Sequence, residues 1–199
     1  MTFMRDYGWS MKSLIKAIVL SGTYRQSSLV SDWEGDPTNK WLSRGPRFRL
    51  TAEQVRDQAL QLSRLLSSKM YGPGVMPYQP PKVWQSVYNG EQWIVSDGED
   101  RFRRSVYTFI KRTSTYPSLM TFDGSSREVC LSQRVRTNTP LQALVTLNDP
   151  VYVEAARAFA RTMDPADTPR RQIESAYRNA LLKEIDEDTL VPLLELYLK

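Results

Sequence analysis

Past position 138, Thr139-Pro140, Asp149-Pro150 and Thr168-Pro169 each set a capping residue directly before a proline at an expected helix start. The proline ring fixes φ near its helical value and lacks the N–H that the first helical position would leave unbonded. The residue before it offers an oxygen to the first turn. Helix starts are therefore dictated at fixed points, and the chain from 139 onward is expected to be a run of short helices. The first spans Pro140 to about Leu147. The next carries Tyr152, Ala155, Ala156, Phe159 and Met163 on one side, and the one after it Ile173, Ala176, Tyr177, Ala180 and Leu181. A last helix from near Asp186 buries Leu190, Leu193, Leu194 and Tyr197 and runs to Lys199 without a cap.

Helix signals also open the chain. Ser10 caps a stripe of Met11, Leu14, Ile15, Ile18 and Val19, with Gly22 at its end. Thr51 and Gln54 form a capping box before Val55, Ala59, Leu62 and Leu66, in a helix expected to end near Ser67. The early start and uncapped finish suggest a piece cut at both ends, leaving apolar surface exposed there.

Between these parts the texture changes. Tyr71-Gly72-Pro73-Gly74, Pro77, Pro80-Pro81, Asn89-Gly90 and Asp97-Gly98 punctuate the segment with turns. Val83-Trp84 and Gln92-Trp93-Ile94-Val95 read as short strands, with Asn89-Gly90 as a hairpin turn between them. Ser105 to Lys111 fits a strand or a short helix equally. The expected fold is mainly α with a small β-rich insertion (α+β). It is a single domain over 1–199: helical over 10–68, loop- and β-rich over 70–136, helical over 139–199.

Composition narrows the chemistry. With 41% hydrophobic and 25% charged residues the chain has the balance of a folded protein. No apolar run is long enough for a transmembrane helix, and Met1–Asp6 lacks the basic-then-apolar pattern of a secretory signal. Histidine is absent, which excludes Ser–His and Cys–His nucleophiles, imidazole-bound zinc and proximal-His haem. Cys130 is the single cysteine, so neither an internal disulfide nor a cysteine metal cluster can form. No cofactor, no metal and no nucleic acid is expected on this chain itself.

The net charge of +5 is uneven. Residues 101–136 hold eight basic side chains against Asp123 and Glu128, whereas the chain after 140 is net acidic. Within this basic middle, Arg104, Lys111, Arg112, Asp123, Arg127, Glu128 and Arg136 are candidates for one binding patch or paired network. Asp123 and Glu128 are the carboxylates that a glycoside hydrolase would need. The competing reading is an Arg–carboxylate lattice that locks the fold, with Asp149 and Glu154 completing it. Tyr24, Arg25 and Gln26, just past the first helix, are candidate binding residues on a loop; there the alternative is that Arg25 and Gln26 tie the loop to helix ends.

Several strings resemble one family: Gly22-Thr23-Tyr24-Arg25-Gln26-Ser27-Ser28, Arg104-Ser105-Val106-Tyr107-Thr108-Phe109-Ile110-Lys111-Arg112-Thr113, Met120-Thr121-Phe122-Asp123, Ser126-Arg127-Glu128-Val129-Cys130, and Arg136-Thr137-Asn138-Thr139-Pro140-Leu141-Gln142-Ala143-Leu144, continuing to Leu147-Asn148-Asp149-Pro150-Val151-Tyr152. They are similar to the C-terminal domain of unknown function of large planctomycete proteins that often carry an N-terminal c-type cytochrome segment. The resemblance implies an extracytoplasmic protein, with haem only in an upstream segment. Where family members commonly read Leu-His-Arg, this chain has Leu14-Ile15-Lys16. The expected role is a scaffold or ligand-binding module accompanying a redox domain, partnered by the rest of its own polypeptide and by an anionic glycan. The alternative is a carboxylate-dependent hydrolase of sulfated or uronic polysaccharide.

Overall fold

The computed structural model describes residues 5–29, 35–81 and 92–198. The chain divides into two compact units, Met1–Arg49 and Leu50–Lys199.

In the first unit, α1 (Met11–Leu20) begins at Ser10, whose hydroxyl accepts from the Ser13 amide, and ends at Ser21. Leu14 and Val19 are half-buried, while Met11, Ile15 and Ile18 face outward. Order in the second half of this unit comes from one buried carboxylate. Asp36 accepts from the Lys40 amide at 2.7 Å, the Trp41 amide at 2.9 Å and the Ser43 hydroxyl at 3.2 Å. Partial burial alone would raise its pKa, but these donors outweigh it and hold the carboxyl below its ordinary value.

The second unit is built around α2 (Ala52–Leu62). The capping box is present: the Thr51 hydroxyl accepts from the Gln54 amide, and the Gln54 side chain accepts from the Thr51 amide. The helix stops earlier than the apolar spacing suggests. Arg64 takes a left-handed φ of 59°, and the amides of Leu65 and Leu66 both return to the Leu60 carbonyl, at 2.9 and 3.1 Å. Leu66 is thereby carried off the helix. Against α2 pack α3 (Pro117–Thr121) and α5 (Pro150–Ala160), and α4 (Pro140–Asn148) packs on α3 and α5. Ala52, Tyr116, Leu119, Phe122 and Tyr152 form the buried core, with Val55, Ala59, Trp93 and Val145 against it. Trp93 stacks on Tyr116 with centroids 5.6 Å apart, a geometry that adds to simple area burial.

The proline-marked starts place α4, α5 and α6 (Pro169–Leu181) as expected. The last helix, α7 (Glu187–Tyr197), packs on α6. It buries Leu190 and half-buries Leu194, but Leu193 and Tyr197 are exposed; the Tyr197 hydroxyl reaches Gln172 on α6 at 2.9 Å. No described helix is long and apolar enough to cross a membrane.

The β-rich insertion is corrected. Among the described residues there are seven helices, 45% of the residues are helical, and there is no strand or sheet. Isolated bridges replace strands. The Val75 amide donates to the Tyr107 carbonyl and the Phe109 amide to the Val75 carbonyl, both at 2.8 Å, in parallel sense. A ladder would next need N–H groups two residues to either side of Val75, where Pro73 and Pro77 have none to give. Ser105–Tyr107 forms a 3-10 turn, as does Gly98–Phe102. Gln92-Trp93-Ile94-Val95 has no regular secondary structure and lies outside any sheet. Val83-Trp84 and Asn89-Gly90 lie outside the described residues.

Candidate functional site

The site is assembled by two adjacent residues of α2. Arg56 is 1% exposed and points inward; its Nη1 donates to the Arg103 carbonyl at 2.8 Å and to the Ser105 hydroxyl at 3.3 Å. Its Nη2 donates to the Arg101 carbonyl at 2.9 Å. Burial pulls the guanidinium pKa below its ordinary value, opposed by Tyr116, Asp57 and Tyr152 nearby. Next to it, Asp57 Oδ1 accepts the Ser105 amide at 2.7 Å. The main chain from 101 to 105 is thus clamped at successive groups.

Clamping the backbone sorts its arginines. Arg103, also 1% exposed, turns inward: Nη1 donates to the Pro73 carbonyl at 3.1 Å, Nη2 to the Tyr71 carbonyl, and the guanidinium stands 3.8 Å from the Tyr107 ring centre. Arg101 turns toward α5, where its Nη2 lies 3.5 Å from Glu154 Oε2. Arg104 is exposed, with Nε 3.8 Å from Asp57 Oδ2.

Arg101 meets a groove of about 460 Å³ formed with α5. Its lining includes Tyr78, Val153, Glu154, Arg157 and Arg161. Positions 150, 153, 154, 157, 158 and 161 repeat at helical spacing, so one face of α5 and its C-cap supplies most of one wall. Three guanidinium groups against one carboxylate leave the lining at +2. Chemically the groove can receive an anion through charge and forked hydrogen bonds, over an apolar floor of Leu65, Pro150 and Val153.

The candidate residues read from the sequence take separate positions. Tyr24, Arg25 and Gln26 lie in the first unit with exposed side chains. Their turn is tied by main chain, the Arg25 amide to the Ser21 carbonyl at 3.1 Å and the Gly45 amide to the Ser27 carbonyl at 2.9 Å. In the second unit, Arg104 sits beside Asp57. Lys111 is half-buried; Arg112, Arg127 and Arg136 are exposed. Asp123 takes a left-handed φ of 61° and accepts from the Thr137 amide at 2.7 Å, the Thr137 hydroxyl at 2.9 Å and Gln142 Nε2 at 3.3 Å. Glu128 is exposed; its amide donates to the Ser126 hydroxyl, and its carboxylate has no ion pair among the described residues. Asp123 and Glu128 share no hydrogen-bond partner among the described residues. Of the two acids from the C-terminal helices, Glu154 meets Arg101. Asp149 caps α5 by accepting from the Val151 amide at 2.9 Å, and burial raises its pKa.

Arg56, Arg101, Arg103, Arg157 and Arg161 were not singled out by sequence reasoning. Two signals were present for Arg56, Arg157 and Arg161, and none for Arg101 or Arg103. Arg56 lies four residues from both Ala52 and Leu60, within their buried stripe, and Arg157 and Arg161 repeat at four on the face begun by Glu154.

No curated protein and no solved structure matches the chain. Residues 1–197 match the family described as PSD1, protein of unknown function (DUF1553), a span that takes in both units, the clamped segment and the groove. The chain therefore belongs to the PSD1 family of proteins of unknown function (DUF1553).

Proposed function

We propose that the chain is a ligand-binding module rather than a catalyst, and that the groove of Arg101, Arg157 and Arg161 receives the anionic groups of a sulfated or uronic-acid glycan. The observation that carries this is the +2 lining on a preorganised wall: the carbonyl of Arg101 is held by Arg56, so the side chain leaves from a fixed point. The two acids of the basic middle give less support to hydrolysis, because Asp123 accepts hydrogen bonds from Thr137 and Gln142 and Glu128 lies on the surface. The order of the family-like strings supports the finer picture of an exported planctomycete protein in which this module accompanies a c-type cytochrome segment.

The test is binding of the full chain to carrageenan and polygalacturonate, with dextran as the uncharged control. The acidic polymers bind and dextran does not, with affinity falling as salt rises. Arg157→Ala with Arg161→Ala lowers the affinity at least about tenfold at unchanged melting temperature. Equal retention of dextran, or indifference to both substitutions, would overturn the anionic site. Release of reducing ends would move the assignment to the hydrolase.

A further inference from the structure

We propose a second, chemically different binding site: a groove beside α2 that takes a neutral, hydroxyl-rich ligand, a sugar ring, with Asp57 and Arg104 as its recognising pair. This groove measures about 530 Å³, within the range of small-molecule sites, and its lining includes Asp57, Gln58, Gln61, Ser68, Met70 and Arg104.

Charge separates it from the arginine groove. Here one carboxylate faces one guanidinium, so the lining carries no net charge. Asp57 Oδ2 and Arg104 Nε stand 3.8 Å apart, too far for a hydrogen bond. Among the described residues Asp57 Oδ2 accepts no hydrogen bond and the Arg104 guanidinium donates none, and the Gln61 amide and Ser68 hydroxyl are likewise unengaged. An anion entering here would be repelled by Asp57, and a cation by Arg104. A hydroxyl fits both, because it donates to the carboxylate and accepts from the guanidinium, and adjacent ring hydroxyls do so side by side. The Gln61 amide extends the same donor-and-acceptor pattern along α2, and Met70 with Leu66 supplies apolar surface for ring C–H groups.

Asp57 and the main chain of Arg104 are also held in place before any ligand arrives. Asp57 Oδ1 is fixed by the Ser105 amide at 2.7 Å. The Arg104 main chain lies between that amide and the Arg103 carbonyl, which Arg56 holds at 2.8 Å. Asp57 is thus ordered in advance, and the Arg104 side chain, which is ordered only on binding, leaves from a fixed main chain.

The inference is independent of the arginine groove and is tested with different ligands and variants. The full chain is titrated with cellotetraose, mannotetraose and chitotetraose by calorimetry and by saturation-transfer NMR. At least one binds, with an affinity that changes less than about twofold between roughly 50 and 500 mM sodium chloride, because no net charge is neutralised. Arg104→Ala and Gln61→Ala each weaken it about tenfold or more at unchanged melting temperature, whereas Arg157→Ala leaves it untouched. Absence of binding by all three at about millimolar concentration, or an affinity that survives Arg104→Ala, would overturn the proposal. Loss of affinity with rising salt would do the same.

Discussion

Arg56 Nη1 donates to the carbonyl of Arg103 at 2.8 Å across 47 residues of sequence, and both side chains are 1% exposed. One arginine thus organises the main chain that buries another. Neither guanidinium is satisfied mainly by a carboxylate. Arg56 uses carbonyls and a hydroxyl, while Arg103 uses two carbonyls and the face of Tyr107, with Asp100 no nearer than 4.0 Å.

Arg56→Met should cost about 3 kcal/mol or more, because it strands buried acceptors at 101, 103 and 105 while saving only part of the desolvation of the charge. Arg56→Lys restores charge but not the fork that reaches separate carbonyls, so it should recover less than half of the loss. Urea unfolding of the three proteins measures both, and a lysine variant as stable as the parent would show that charge alone matters there.

The Asp123 knot gives a second expectation. Gln142 is 1% exposed and its Nε2 donates to the Thr121 carbonyl at 3.0 Å as well as to Asp123. Gln142→Glu replaces that donor with a charge facing Asp123, and Gln142→Leu merely removes it. Both should destabilise, the leucine variant by about 2 kcal/mol and the glutamate variant by more at neutral pH. Lowering the pH should bring the glutamate variant toward the parent as its carboxyl protonates, whereas the leucine variant should keep its deficit.

Local rules fixed the helix starts well. The Thr51–Gln54 box, Pro140, Pro150 and Pro169 all stand where short-range hydrogen bonding and proline geometry require. What escaped them was long-range. The spacing of Val55, Ala59, Leu62 and Leu66 suggested the inward face of α2, yet Ala52, Arg56 and Leu60 are its most buried residues. An arginine in a stripe marks the solvent edge unless carbonyls 45 and 47 residues away are known to meet it. The insertion failed for a related reason. Aromatic and β-branched runs have the side chains of strands, but a strand also needs a partner, and at Val75 the bridge to Thr108 cannot lengthen because Pro73 and Pro77 lack the amides for it. The basic middle was legible as charge, and its division among α2, α5 and the loops was not.

Two glycines should prove intolerant. A Cβ on Gly45 would lie 2.4 Å from the Gln26 carbonyl oxygen, and one on Gly124 would lie 2.6 Å from that of Leu119. Main-chain oxygens cannot swing aside as side chains do, so each alanine variant should cost about 1–3 kcal/mol. In hydrogen exchange, Gly45→Ala should loosen the Ser27 contact within the first unit, and Gly124→Ala the turn after α3. An unchanged exchange pattern in either variant would refute the close approach.

Acid should act on two carboxyls of the second unit in opposite directions. Burial raises the pKa of Glu53, but its own backbone amide and Arg134, 2.8 Å away, outweigh this and hold the carboxyl below its ordinary value. A carboxyl depressed in the fold contributes stability above its unfolded pKa, and that stability is lost as pH falls through the folded value. Asp149 is shifted the other way, raised mainly by burial and only partly relieved by the Val151 amide and Arg56. Its charged form costs stability at neutral pH, and the cost disappears as protonation sets in on the way down to its unfolded pKa. Asparagine at 149 keeps a capping oxygen for Val151 without the charge. Asp149→Asn should therefore match or exceed the parent at neutral pH and lose that advantage in acid, whereas Glu53→Gln should be weaker at neutral pH and converge on the parent below about pH 4. Thermal melts of the three proteins across this range read both trends. A Glu53→Gln deficit that persists undiminished in acid would mean that Glu53 stabilises the fold by packing alone.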